Sequence, residues 1–338
     1  MRRPTMRDVA TLAGVGIKTV SRVINGEPNV SEAMSERVLR AAAALDYQPD
    51  VHAGSLKRGD RRTSTIGLLV SSVANPFDSQ VHRAIEVVAA ERGVAVFAAS
   101  LAEDPENERT MVHASIRRRV DGLIITPTRP DQGYLAVELD RGLPVVFVDR
   151  EPTGLMADAV VSDNVAGAAM ATRHLLQRGH RRIAFLGDLD RVQTARLRRQ
   201  GFLEEVGRAG VPTVDLQIIT DLHDEESAAL AATRVMSSVP PPTAIFSSQN
   251  LVTIGVVRAL RELGLSRTVA VVGFDDIALG GLLDPPITVV AQDTQGIGTL
   301  AAQRLFARLD GDTSPGQTYV VPTTLIQRGS GEIPAPPR

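Results

Sequence analysis

Two short segments near the N-terminus space their apolar residues as amphipathic helices do. The first helix is predicted to begin after Thr5, a good N-cap, with Asp8 three residues later to complete an approximate capping box. Its apolar face would consist of Val9, Ala10, Leu12 and Ala13. Gly14 follows and suits a tight turn, because glycine adopts positive φ without strain. The pattern predicts two helices joined at a glycine.

The second segment, residues 17–25, would bury Val20, Val23 and Ile24 and turn its polar side outward. Helices joined in this way are typical of a helix-turn-helix, whose second helix enters the DNA major groove. The side chains predicted to reach base edges are Ile17, Lys18 and Arg22. Three further residues are predicted to contact the DNA phosphates, namely Thr19, Ser21 and Asn25. Thr5 is also predicted to bind DNA. The alternative is that Lys18 and Arg22 form the solvated face of an ordinary small helix bundle.

A third helix is predicted from its N-cap Ser31 to about Leu45. Its residues at core spacing are Val38, Leu39, Ala42 and Leu45. Pro49 ends this pattern and can open another short helix, over Pro49–Lys57, because proline suits the first position of a helix.

Beyond a polar linker, short apolar runs alternate with amphipathic helical segments. The predicted strands are 66–70, 94–98, 122–126 and 145–148, followed by 183–186, 218–220, 244–246 and 269–274. Buried runs separated by helices are typical of parallel, doubly wound sheets. Two such series predict two α/β subdomains with a cleft between them.

The segments TMRDVA, AGV, TVSRVING and VSE, the helix end LDYQP and the piece with Ala53 and Leu56 resemble the lactose/galactose repressor (LacI/GalR) family. The resemblance is colinear and extends over nearly the whole chain. It implies a hinge helix that orders on operator DNA and inserts a leucine, matched by Leu56 beside the small Ala53, into the minor groove. Asp50 and Gly54 replace the family's usual asparagine and arginine, so hinge ordering is expected to be less favourable here.

Charge is divided unevenly along the 338 residues. Residues 1–62 hold eleven Lys and Arg against seven Asp and Glu, a net charge of +4, whereas the remainder holds 26 against 32, a net charge of −6. A basic head on an acidic body localises affinity for DNA in the head. The chain has no cysteine, no apolar leader and no apolar run of transmembrane length. We therefore expect a soluble, cytoplasmic protein without a membrane partner.

Polar side chains follow the predicted strands, where open α/β sheets bind ligands. Carboxylates, amides and arginines suit sugar hydroxyls, and an aromatic ring suits the apolar face of a sugar. The candidate residues are Asn75, Phe77, Asp78, Asp149, Arg150, Arg198, Gln249 and Asp275. The resemblance implies the same cleft, since these positions match the family's effector-binding loops. Arg198 is preferred to its neighbours Arg196 and Arg199, whereas Asp275 and Asp276 are close alternatives.

Competing interpretations remain for several of these residues. Phe77 also fits the core, and Asp149 with Arg150 also fits a simple ion pair at a strand end. Gln249 and Asn250 stand where many relatives have asparagine and aspartate, which leaves the effector's identity open. The effector is expected to be a sugar or sugar derivative, with a nucleoside or purine as the alternative. The sequence does not distinguish an inducer from a co-repressor.

Enzymes and transport proteins are the other classes to consider. Residues 296–301 fit the dinucleotide fingerprint GxGxxA, but only about 40 residues follow and no βαβ unit is apparent, so we interpret the match as chance. His174 and His180 are six residues apart, a spacing that favours no helical metal pair, and we interpret both as structural. No cofactor, metal site or catalytic residue is predicted. The DNA-binding head argues against a lone sugar-binding transport protein.

The predicted fold class is α/β, with an all-α helix-turn-helix head and two doubly wound subdomains of periplasmic-binding-protein-like type. The predicted divisions are a head at 1–48, a hinge helix and linker at 49–63, a body at 64–330 and a disordered tail at 331–338. Within the body, the N-subdomain would span about 64–161 and 292–320, and the C-subdomain about 162–291 and 321–330. The predicted function is a sugar-responsive transcriptional regulator, a repressor that binds a palindromic operator as a homodimer.

Overall fold

The computed structural model describes residues 4–24, 27–28, 30–47 and 62–337 and divides into two compact units, Met1–Ser64 and Thr65–Arg338. The predicted hinge over Pro49–Lys57, with Asp50, Ala53, Gly54 and Leu56, lies outside the described residues, as does Asn25.

The first unit contains three helices in its described part, α1 (Met6–Ala13), α2 (Ile17–Ile24) and α3 (Glu32–Ala44). The capping box predicted for α1 is present, since the Thr5 amide donates to Asp8 Oδ2 at 2.7 Å. Gly14 ends α1 at φ 61°, which confirms the predicted glycine turn.

The core of this unit combines residues of all three helices: Val9, Ala10, Ala13, Val20, Val38, Ala41 and Ala42. The prediction that Leu12 and Leu39 lie in the core is wrong, because these residues are 56% and 52% exposed. Each lies next to core positions in sequence, but it projects from the side of its helix that faces solvent.

In the second unit the described residues form two six-stranded sheets. The strands of the first sheet are β1 (Thr65–Val70), β2 (Ala95–Ser100), β3 (Gly122–Ile125), β4 (Val145–Val148), β5 (Asp158–Ser162) and β11 (Thr318–Val321). They pair in the order β11-β5-β4-β3-β1-β2, and every pair is parallel.

The strands of the second sheet are β6 (Ile183–Leu186), β7 (Leu216–Ile219), β8 (Ala244–Ser247), β9 (Ala270–Phe274), β10 (Thr288–Ala291) and β12 (Thr324–Ile326). Their order is β12-β10-β9-β8-β6-β7, and only the edge pair β10-β12 is antiparallel among the described strands. The β-branched and aromatic residues of the central strands are buried on both faces, as parallel sheets require.

Helices cover both sheets. They are α4 (Pro76–Glu91), α5 (Pro105–Arg117), α6 (Ala136–Asp140), α7 (Asn164–Gln177), α8 (Gln193–Arg208), α9 (Glu225–Met236), α10 (Asn250–Glu262) and α11 (Thr294–Leu309). The chain passes between the sheets after β5, after β10 and after β11. Residues of α11 return to the first sheet, where Ile297, Ala301 and Leu305 join its core.

The dinucleotide-like segment 296–301 lies inside α11. Asp293 caps this helix by accepting a hydrogen bond from the Gly296 amide. Gly298 faces α4, where an added Cβ would stand 2.5 Å from the Val81 carbonyl oxygen. The glycine therefore permits two helices to approach closely.

The predicted disordered tail at 331–338 is wrong over the described residues. Ile333 packs against the core of the second sheet, and its carbonyl accepts a hydrogen bond from His180 Nε2 at 2.9 Å. The Ala335 amide donates to the Arg178 carbonyl at 3.0 Å. One apolar residue and a few backbone hydrogen bonds suffice to order a segment whose Gly and Pro content suggested otherwise.

Candidate functional site

The first wall of the cleft is built at the carboxyl end of β1. Asn75 caps α4 by accepting a hydrogen bond from the Phe77 amide, and Pro76 occupies the first turn. Asp78 Oδ2 accepts from Ser71 Oγ at 2.7 Å and from the Ser72 amide at 2.8 Å. Burial raises the pKa of the Asp78 carboxyl to about 7 despite these hydrogen bonds.

The ends of β2 and β4 add a buried ion pair to this wall. Arg150 Nη2 donates to Glu103 Oε1 at 2.6 Å and Nη1 to Oε2 at 2.8 Å. Asp149 Oδ2 lies 3.2 Å from Arg150 Nε, and burial raises the pKa of the Asp149 carboxyl. Both acids adopt positive φ, 53° at Glu103 and 70° at Asp149, which marks sharp turns at the strand ends.

Arg198 on α8 provides the centre of the opposite wall. Its Nε donates to Asn164 Oδ1 at 2.7 Å, its Nη1 donates to the Ser248 carbonyl at 2.8 Å, and its guanidinium carbon lies 3.8 Å from the centre of the Phe274 ring. Asp275, at the end of β9, places Oδ2 3.6 Å from Nη1. The side chain is therefore held on several sides at once.

The structure separates the alternatives that the sequence left close. Arg196 donates to backbone carbonyls outside the cavity, and Arg199 pairs with Asp190 at 2.7 Å. Asp276 forms a two-point ion pair with Arg328. Of these neighbours, Arg198 and Asp275 are the ones that line the cavity.

Three amides and an imidazole also line the cavity. Gln249 caps α10, and Gln292 Nε2 donates to Asp275 Oδ1 at 2.5 Å. Asn250 Nδ2 donates to Asn75 Oδ1 at 2.8 Å, which joins the two walls directly. His223 Nδ1 lies 2.7 Å from Asp188 Oδ1, and this hydrogen bond raises the pKa of the imidazole.

All eight residues predicted for the effector site line one cavity between the two sheets: Asn75, Phe77, Asp78, Asp149, Arg150, Arg198, Gln249 and Asp275. Phe77 also packs against the core of the first sheet, as its alternative interpretation predicted. Sequence reasoning missed Ser71, Glu103, Asp188, Thr194, His223 and Gln292. Asp188 closely follows β6, so the same attention to strand ends would have found it.

On the first unit, α2 exposes a basic surface. Ile17 is 42% exposed, and Lys18 and Arg22 are also exposed, whereas Thr19 is half-buried. The expectation that Ser21 faces outward is wrong, because it is buried beside Val20 on the inner side of the helix. The Arg22 guanidinium Nε lies 3.9 Å from Glu27 Oε2, a solvent-exposed pair.

The histidines bind protein groups. His174 Nε2 lies 3.0 Å from the Gly331 carbonyl, and His180 Nδ1 lies 2.9 Å from Thr243 Oγ1. Among the described residues, no group of three or more His, Asp and Glu side chains is arranged to hold a metal ion. The structural interpretation of His174 and His180 agrees with these contacts.

Comparisons with known proteins cover both units. The family model "Bacterial regulatory proteins, lacI family" matches residues 5–50, and the "Periplasmic binding protein-like domain" matches residues 172–331. The chain is 33% identical to the ribose operon repressor of Escherichia coli over 330 residues, which cover 96% of this chain and 99% of that repressor. The chain belongs to the LacI family.

Solved structures extend the match to this LacI-family protein's fold. A lac repressor dimer bound to operator and the anti-inducer ONPF is 28% identical with a TM-score of 0.86, covering 98% of this chain and 99% of that one. A complex of the transcriptional regulator CelR with cellobiose is 32% identical with a TM-score of 0.70, covering 97% and 100%.

These matches confirm the predicted family, the predicted fold class and the predicted function of a DNA-binding transcriptional regulator. They also confirm that the protein is not an enzyme, since the relatives are regulators of the LacI family. In the part of the chain that the structure describes, no helix combines the length and apolarity needed to cross a bilayer.

Proposed function

We propose that this LacI-family regulator represses genes of sugar uptake or catabolism by binding a palindromic operator as a homodimer in the cytoplasm. A sugar in the cleft controls its affinity for that operator. The lac repressor structure is a dimer on operator, the Escherichia coli relative is a ribose operon repressor, and the CelR structure holds cellobiose. These relatives support a sugar effector over the nucleoside alternative.

The proposed role of each segment follows the predicted domain boundaries. In this proposal residues 1–48 bind DNA, residues 49–63 form the hinge and linker, and the body begins at residue 64. The N-subdomain (about 64–161 and 292–320) and the C-subdomain (about 162–291 and 321–330) provide the two walls. The three chain crossings between the sheets support a body whose subdomains move relative to each other about these connections.

The observation that carries the effector proposal is the composition of the cavity. Polar groups converge on it from both sheets, including Asp78 and Asp149 on one side and Arg198 and Asp275 on the other. Phe77 adds an apolar aromatic surface to the cavity lining. A sugar requires this combination of hydrogen-bonding groups and an aromatic ring, because its hydroxyls both donate and accept hydrogen bonds while the face of its own ring is apolar.

For DNA, the exposed face of α2 supports base contacts by Ile17, Lys18 and Arg22, with Thr19 nearer the phosphates. Arginine can donate two hydrogen bonds to guanine, which makes Arg22 the main candidate for base discrimination. Thr5, whose hydroxyl already donates to Asp8 Oδ2 at 2.6 Å, contributes through the start of α1. The hinge residues Ala53 and Leu56 and the contact of Asn25 remain predictions.

Thermal shift of the full-length protein against neutral sugars and nucleosides tests the effector. Operator affinity is then measured by fluorescence anisotropy with and without any compound that binds, because effector and operator must affect each other reciprocally. We expect at least one sugar to raise the melting temperature and to change operator affinity. Stabilisation by nucleosides alone would overturn the sugar proposal, and so would the absence of any active compound.

A matched pair of variants ties the effect to the cleft. Arg198→Lys keeps the charge but removes the forked donors and the stacking on Phe274, so it should weaken sugar binding by at least about tenfold. Arg196→Lys makes the same change on the same helix outside the cavity and should leave the sugar affinity near that of the wild type. Equal losses in both variants would place the sugar elsewhere.

A further inference from the structure

The lining of the cavity contains more acidic than basic side chains. Its described lining has five carboxylates against two arginines and one histidine; the carboxylates are Asp78, Glu103, Asp149, Asp188 and Asp275. Even when His223 carries a proton and burial leaves Asp78 and Asp149 neutral, three carboxylates face three cations. An anionic ligand entering the cleft therefore finds no surplus of positive charge to offset the loss of its hydration.

Each arginine is already neutralised within the protein. Glu103 binds the Arg150 guanidinium at two points, with distances of 2.6 and 2.8 Å, and both side chains are buried. Asp149 stands 3.2 Å from the same guanidinium. Glu103 alone balances the charge of this arginine, so the guanidinium has no net attraction for an anion, and the oxygens of Glu103 and Pro127 already accept three of its N–H donors.

The opposite wall repeats this arrangement in a weaker form. Arg198 lies 3.6 Å from Asp275, and its other contacts are to an amide oxygen, a carbonyl oxygen and the face of Phe274. The positive charge of Arg198 in this wall is therefore already bound by protein groups. The remaining cation of the lining, His223, is paired with Asp188.

One buried polar atom of the lining has no hydrogen-bond partner among the described residues, the acceptor Gln292 Oε1. An unsatisfied buried polar atom is costly, so a ligand that satisfies it gains affinity. A hydroxyl can donate to this oxygen, whereas an ionised phosphate or carboxylate oxygen has no proton to donate.

We infer that Glu103 is a specificity-determining residue that restricts the cleft to uncharged sugars and excludes phosphorylated or carboxylated ones. It acts by holding Arg150 in a two-point ion pair, which cancels the guanidinium's attraction for anions. The inference rests on the proposed function, that the cleft binds a sugar.

Isothermal titration of the full-length protein with matched ligand pairs tests this selectivity. The pairs are D-ribose with D-ribose 5-phosphate, and D-glucose with D-glucose 6-phosphate and D-gluconate. For whichever sugar binds, we expect its anionic partner to bind at least about 100-fold more weakly. Tighter or equal binding of the anionic partner overturns the inference while leaving the sugar function intact. If none of the five compounds binds, the proposed function fails for these sugars and the inference fails with it.

The variant Glu103→Gln tests the residue itself. It removes the carboxylate that binds Arg150 at two points and leaves Asp149 at 3.2 Å, so the ratio of anionic to neutral sugar affinity should rise at least about tenfold. The matched control is Glu106→Gln on the same segment, where Glu106 pairs with Arg129 on the protein surface and the ratio should stay at the wild-type value. A folded Glu103→Gln protein with the wild-type ratio would remove Glu103 from the inference. The wild-type comparison stands even if this variant does not fold.

Discussion

Asn250, at the start of α10, donates a hydrogen bond from Nδ2 to Oδ1 of Asn75, the cap of α4, at 2.8 Å. The two residues belong to helices that cover different sheets, so this bond connects the two walls of the cleft. Asn75 Oδ1 also accepts from the Phe77 amide, and Asn250 Oδ1 accepts from the Leu251 amide. Each side chain thus links the start of its own helix to the opposite wall.

Replacing Asn250 with aspartate should open the cleft. Aspartate still suits the first turn of α10, because a negative charge is favourable near the N-terminus of a helix. However, it offers no donor to Asn75 and sets a carboxylate against an acceptor oxygen. Loss of a hydrogen bond worth about 1 kcal/mol should lower the ratio of closed to open molecules about fivefold. Small-angle X-ray scattering of ligand-free protein should give a larger radius of gyration than that of the wild type.

The control is Asn75→Asp, at the other end of the same bond. It adds the same charge in the same place but keeps an acceptor for Asn250 Nδ2, and a hydrogen bond to a carboxylate is stronger than one to an amide. Its scattering should match that of the wild type. If both variants open the cleft equally, added charge rather than the lost donor explains the effect.

The site was predictable where a polar residue directly follows a buried run. Asp149 and Asp275 follow β4 and β9, whose residues are all buried and therefore stand out in the sequence. Glu103 was missed because β2 is an edge strand with exposed positions such as Phe97, which blurs its end. Its pairing with Arg150 joins residues 47 apart, and no local pattern specifies such a contact.

The fold shows the same limit. Six interior strands, β1, β3, β4, β6, β8 and β9, were predicted to within about two residues, because apolar runs that are buried on both faces have few alternatives. The interior strand β10 (Thr288–Ala291) was missed. The edge strands β11 and β12 alternate exposed and half-buried residues over three or four positions, which is too short a pattern to read. The strand β5 begins with Asp158, a fully buried carboxylate that forms ion pairs with Arg304 and Arg308. Because its first residue is charged, the strand was not recognised from its hydrophobicity.

Asp78 should make stability depend on pH. Burial raises its pKa to about 7, whereas an unfolded aspartate has a pKa of about 3.9. Between these values the folded protein binds more protons than the unfolded chain, so this residue's contribution to stability is full below pH 4 and declines as pH rises to 7. Asp78→Asn does not titrate, and its amide oxygen can still accept from Ser71 and Ser72. Its melting temperature relative to the wild type should therefore rise from pH 5 to pH 8.

Differential scanning calorimetry at several pH values measures this trend. The change in relative stability should amount to a few kcal/mol at most, since one pKa unit corresponds to about 1.4 kcal/mol. Asp104→Asn offers the same chemical change at an exposed cap of α5, and its offset from the wild type should not vary with pH in this way. A constant offset for Asp78→Asn as well would contradict the role assigned to its burial.

Gly298 should tolerate no side chain. Alanine at this position in α11 would bring its Cβ to 2.5 Å from the Val81 carbonyl oxygen and 2.7 Å from Ala84 Cβ, forcing α4 and α11 apart. Overpacking of this kind costs about 1–3 kcal/mol of unfolding free energy. Gly207, in α8, has open space where a Cβ would stand, so Gly207→Ala should stabilise by up to about 1 kcal/mol. Urea unfolding should therefore shift in opposite directions for the two substitutions.

Arg22 should discriminate between operator and random DNA. It is exposed on α2 beside Lys18, and it pairs with Glu27 at 3.9 Å, a weak surface pair that DNA can displace. A contact to a guanine edge is lost only on operator, so Arg22→Ala should weaken operator binding at least about tenfold more than binding to random DNA.

Arg40→Ala provides the control, because Arg40 is an exposed arginine of α3 paired with Glu36. Anisotropy titrations over a range of salt concentrations separate the possibilities. Equal losses on both DNAs, together with a shallower salt dependence, would make Arg22 a phosphate contact and leave base recognition to Ile17 and Lys18.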